Sequence, residues 1–95
     1  MASLKKIEEL VNQAQDTIIA GNSGYAKQVF WPRIKDAIKN CDELTREKRS
    51  DLVLIIADHL DKLGLLGTVE VPTGSIDDLM KRTPPSNPPV TWPPG

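Results

Sequence analysis

Residues Arg46 to Leu63 read REKRSDLVLIIADHLDKL, and this stretch decides the fold. Leu52, Ile56, Leu60 and Leu63 recur at three- and four-residue spacing and so share one face of a helix. Val53 and Ile55 widen that face until the middle of the helix is mostly apolar, as suits a central helix packed between others. Thr45 is placed to cap its start. Gly64 is placed to stop it in a left-handed turn, with Leu65 folding back on the last turn. His59 falls between Asp58 and Leu60, and its expected place is a solvated position at the edge of the packed face.

Toward the N-terminus, Ser3 caps a helix in which Leu4, Ile7, Val11, Ala14 and Ile18 form one stripe, widened by Leu10 and Ile19. Gly21 ends it, and Asn22-Ser23-Gly24 is a turn. A second helical stretch begins near Ser23 or Gly24. Ala26, Phe30, Ile34, Ala37 and Cys41 keep helical register across Pro32, with Ile38 beside them. An interior proline costs about 3 kcal/mol, whereas one in a first turn costs almost nothing. The expectation is a kink or short break at Trp31-Pro32, then a longer helix to about Asn40. On this register Phe30 belongs to the core stripe, and Trp31 sits one position off it, partly buried.

Toward the C-terminus, Thr68-Val69-Glu70-Val71 alternates polar and apolar residues, reads as extended, and is closed by Pro72. Ser75-Ile76-Asp77-Asp78 resembles a capping box that opens a short helix to about Arg82. Thr83 to Gly95 reads TPPSNPPVTWPPG and holds six of the eight prolines. Such a segment joins neither a helix nor a central strand, because proline lacks the backbone donor and restricts the residue before it. The fold class is therefore all-α. A small bundle of three main helices plus a short C-terminal helix spans residues 1–82, and an extended proline-rich arm occupies residues 83–95.

The chain has 95 residues, room for one domain that buries about 60–65% of its unfolded surface. The longest wholly apolar run, Leu52 to Ala57, is six residues, against about 20 for a membrane-spanning helix. No membrane role is expected, and the N-terminal MASLKKIEEL reads as no signal peptide. Cys41 is the single cysteine and cannot form an internal disulfide, so the expected setting is cytoplasmic. The charge is uneven. Tyr25 to Arg49 carries seven basic and four acidic residues, while Ser50 to Met80 carries six acidic residues and one lysine. Such asymmetry favours contacts between unlike faces.

Residues with catalytic chemistry are few. His59 and its neighbours fall short of the three or four ligands a zinc site needs, and Asp58 and Asp61 on a rigid helix do not make a calcium loop. Cys41 lies on the stripe of Ile34 and Ala37 and reads as a small core residue. Glu8-Glu9, Asp42-Glu43 and Asp77-Asp78 fit helix ends or solvated surface better than acid–base work. No metal, no cofactor and no enzyme activity is expected.

Binding has better candidates. Trp92 is unusual in a proline-rich tail, since disordered segments are poor in aromatics, and Pro88, Pro89 and Pro93 pre-extend the backbone around it. That combination describes an arm with an anchor, which can lie on its own domain, a neighbouring copy or another protein. Tyr25, Phe30 and Trp31 cluster near Pro32, and Tyr25 and Trp31 are candidate partner contacts. Lys27 after the glycine turn, with Arg46, Lys48 and Arg49, forms the candidate anion or nucleic-acid contact. Glu47 and Asp51 interrupt that cluster, which argues against a nucleic-acid face. Arg82-Thr83-Pro84-Pro85-Ser86-Asn87-Pro88 also fits the basic-x-x-Pro-x-x-Pro form that SH3-type grooves accept, a pattern that arises often by chance.

The expected function is a non-enzymatic protein–protein interaction or assembly module, of the kind a small viral or phage accessory or structural protein provides. It would self-associate or bind a protein partner through a helical face and Trp92. The alternatives are an inhibitor or adaptor that occludes a host protein through charged helical faces, and a small nucleotide-ligand or nucleic-acid binder.

Overall fold

The structure is a computed structural model. It describes residues 3–66, 76–87 and Trp92, apart from the side chains at positions 65 and 66. Helix α1 is Leu4–Ile19. Helix α2 covers residues 23–39 as three continuous pieces, Ser23–Tyr25, a π-turn at Ala26–Phe30, and Trp31–Lys39. Helix α3 is Arg46–Leu66, and the short α4 is Ile76–Lys81. The chain is all-α, a bundle of three main helices and a short fourth, with no strand among the described residues.

Both ends of α1 are specified locally. The Ser3 hydroxyl accepts the Lys6 amide at 3.3 Å, satisfying one of the first-turn donors that have no helical partner. At the other end Gly21 adopts φ +92°, a region that side chains disfavour. The Gly21 amide then reaches Ile18 O at 3.0 Å and the Asn22 amide reaches Thr17 O at 2.9 Å. This paired closure is a Schellman motif. Thr45 caps α3 as the sequence predicts, its hydroxyl accepting the Lys48 amide at 3.1 Å.

The middle of α2 departs from expectation. The helix does not break at Pro32: the chain stays helical and widens just before it. The Trp31 amide bonds back to Ala26 O, and Tyr25, Ala26, Phe30 and Trp31 all keep right-handed helical dihedrals. A straight α-helix would push the proline ring against the carbonyl four residues earlier, and one extra residue in the turn relieves that conflict. The extra residue also rotates the helix. Ala26, Trp31, Ile34, Ala37 and Ile38 are buried, while Phe30 is only partly covered. Trp31 therefore holds the core position that unbroken 3.6-residue periodicity assigns to Phe30.

Helix α1 packs against each of the other helices, and α3 against α1, α2 and α4. The centre is thus shared by α1 and α3, whereas the pattern of α3 alone suggested that α3 was the hub. Gly64 does not stop α3, which continues through it to Leu66, and Gly21 is the glycine with positive φ among the described residues. A glycine inside a helix costs about 1 kcal/mol, and the buried Leu60 and Leu63 anchor the surrounding turns. The expected strand at residues 68–71, the Ser75 cap and most of the arm's expected extended form lie outside the described residues.

At six residues, α4 is too short to persist alone. Tertiary bonds hold it. The Glu8 carboxylate on α1 accepts the Ile76 amide at 2.9 Å, Lys48 Nζ on α3 donates to Met80 O at 2.6 Å, and Ile76 and Leu79 are buried.

Candidate interaction surface

Trp92 is buried, with 1% of its surface exposed. Its ring meets that of Trp31 edge to face, centroids 5.8 Å apart and planes at 88°, a favoured geometry for aromatic pairs. Lys27 Nζ lies 5.9 Å from the Trp92 ring centroid, within cation–π range. The anchor of the arm is therefore seated on its own domain, in a pocket that the π-turn helps to build by turning Trp31 inward. Trp31 is 3% exposed, not the partly open ring that its offset from the stripe implied. Pro88, Pro89 and Pro93 lie outside the described residues.

Tyr25 remains on the surface, 56% exposed, its ring edge-on to Phe30 at 5.8 Å. Of the four basic candidates, Arg46 and Arg49 line one groove, while Lys27 and Lys48 have other contacts. Lys27 is turned to Trp92, Lys48 to the Met80 carbonyl, and Arg49 to the Cys41 carbonyl through Nε at 3.2 Å and Nη2 at 2.7 Å. Arg49 thereby ties the loop between α2 and α3 to the first turn of α3. Arg46 is exposed.

An open groove lies between helices α2 and α3. Ile38, Val53 and Leu54 supply its apolar surface, and Val53 and Leu54 keep part of that surface in solvent. Lys35, Lys39, Arg46 and Arg49 line its rim with one acid, Asp36. Lys35 Nζ lies 5.6 Å from the Trp31 ring centroid. The carbonyl that Arg49 holds is neutral and leaves its charge in place, and Lys39, Arg46 and Arg49 against Asp36 make the rim basic. By contrast, carboxylates of α3 and α4 beyond the groove are ion-paired, Asp58 with Lys62 at 2.9 Å and Asp78 with Arg82 at 2.7 Å.

His59 is not at a solvated edge. It is 4% exposed, with Nε2 2.5 Å from Gln15 Oε1 and Nδ1 3.3 Å from Arg82 Nη1. A guanidinium has no acceptor, so Nδ1 must accept from Arg82, and the proton sits on Nε2 and is donated to Gln15. This assigns the neutral tautomer. Burial, reinforced by the Arg82 charge, lowers the His59 pKa from 6.5 to about 4, against the opposing pull of Asp78 and Asp58. Both ring nitrogens join helices, Gln15 on α1 to His59 on α3 to Arg82 after α4. Cys41 is fully buried. No cluster of three or more metal-ligating side chains occurs among the described residues, nor does any helix long and apolar enough to cross a membrane.

The periodicity of α3 carried a signal for His59. It lies three residues after Ile56 and four before Leu63, on the buried stripe, as Gln15 lies four after Val11 and three before Ile18 on α1. Nothing in the sequence pairs Trp92 with Trp31, or brings Lys39 beside Val53. No protein-family model matches this chain, and neither a curated protein nor a solved structure matches it.

Proposed function

We propose that the chain is a non-enzymatic protein–protein interaction module that binds through its helical surface at the α2–α3 groove. The observation that carries this reading is the groove itself, where Val53 and Leu54 keep apolar surface in solvent beneath a rim of basic side chains. Exposed apolar surface rimmed by polar groups is a common mark of a docking site. The groups best able to do covalent or acid–base chemistry are occupied elsewhere. Cys41 is sealed in the core, and both nitrogens of His59 are bonded within the protein. The arm then serves as an intramolecular clasp, with Trp92 packed on Trp31.

Affinity capture from the native cell tests this with three baits: the wild-type chain, Leu54→Glu, and Asn12→Glu on the exposed side of α1. A partner held by wild type and by the α1 variant but lost from Leu54→Glu supports the reading. Capture indifferent to Leu54→Glu, or a rise in thermal stability with nucleotides in place of any protein capture, contradicts it.

A further inference from the structure

The geometry points to an acidic amphipathic helix of a partner protein as the occupant of the α2–α3 groove. This rests on the groove being an interaction site, and adds the chemistry of what enters it. Along α3 the lining runs from Arg46 to Leu54. At 1.5 Å per residue this is about 12 Å, just over two turns. That length accommodates apolar anchors at positions i, i+3 or i+4, and i+7 of a docked helix, the usual helix-in-groove arrangement. Val53 and Leu54 meet the anchors.

The rim sets the sign of the flanks. Lys39, Arg46 and Arg49 outnumber Asp36, and Arg49 is bonded to a neutral carbonyl that leaves its charge uncancelled. A docked helix with carboxylates beside its apolar stripe gains steering and register from these cations, whereas a basic helix is repelled. A second copy of this chain offers fewer carboxylates than the sequence of its α3–α4 end suggests, since Asp58 and Asp78 are already paired with Lys62 and Arg82. Nucleic acid would leave the apolar floor unused, since it binds through phosphates and base edges.

The test is an amide-resolved NMR titration of the full chain with three stapled helical peptides. Each carries leucine at i, i+3, i+4 and i+7, and the remaining positions are glutamate, glutamine or lysine. A single-stranded oligonucleotide is run in parallel. Expected is saturable perturbation centred on residues 32–54 by the glutamate peptide, about tenfold tighter than the lysine peptide and weakened by salt. Leu54→Glu should abolish it. Arg46→Glu, an exposed change that leaves the fold intact, should erase the preference for glutamate. Equal binding of all three peptides at residues 32–54 overturns the acidic partner while the groove remains a docking site. Tighter binding of the oligonucleotide at the same residues overturns the protein partner. Signals at residues 32–54 unmoved by every ligand overturn both the partner and the interaction site.

Discussion

Trp92 and Trp31, the chain's two tryptophans, pack edge to face with centroids 5.8 Å apart, so Trp92 is seated against the second helix. The arm's most binding-competent residue is thus committed within the chain.

Removing that contact should be costly. Trp92→Ala is expected to lower the unfolding free energy by about 3 kcal/mol, within the range for a buried aromatic truncated to alanine. Trp92→Phe should lose about half as much. Urea denaturation measures both, and an unchanged midpoint for Trp92→Ala would show that the ring adds nothing to the fold.

The π-turn makes a second prediction about neighbouring residues. Trp31→Ala should destabilise by about 4 kcal/mol, and Phe30→Ala by about 1–2, because Trp31 is buried and Phe30 only partly covered. A straight α-helical register predicts the reverse order. Parallel urea melts of the two variants separate the alternatives.

His59 sets the acid response. Its folded pKa of about 4 lies below the unfolded value of 6.5, so between these pH values the unfolded chain binds the extra proton. The contribution is fully present above pH 6.5 and is lost as pH falls toward 4. At 1.36 kcal/mol per unit the loss is about 3 kcal/mol. Urea melts at pH 7 and pH 4.5 should differ by most of this amount, on top of any change due to carboxylates. An NMR titration should find the ring neutral at pH 5.5, and a midpoint near 6.5 would refute the buried neutral pair with Gln15.

Gly64 offers a stabilising change. It lies within α3, and a methyl group added there meets nothing within 4 Å. Gly64→Ala should therefore raise stability by about 0.5–1 kcal/mol, read as a higher melting temperature. A fall would mean that the helix stops there after all.

Much of this architecture was legible in the chain. The stripes of α1 and α3 and the caps at Ser3, Gly21 and Thr45 are local signals, and each produced the element it predicted. The errors have physical causes. Periodicity assumes 3.6 residues per turn, so a single inserted residue before Pro32 exchanged Phe30 and Trp31. Polarity alone put His59 in water, although its position on the stripe and that of Gln15 let the two satisfy each other. Gly64 had the composition of a stop without the backbone of one. Lys48 and Arg49 read as a basic cluster, but their donors go to carbonyls that only the folded chain brings near. The groove joins side chains of two helices, and no single segment announces it.

The arm's closure within one chain is tested most directly by light scattering on the intact protein and on Trp92→Ala across a wide concentration range. The expected result is the mass of one chain, 10.5 kDa, for both. An intact protein of higher mass that falls to 10.5 kDa in Trp92→Ala would place Trp92 on a neighbouring copy and contradict the clasp.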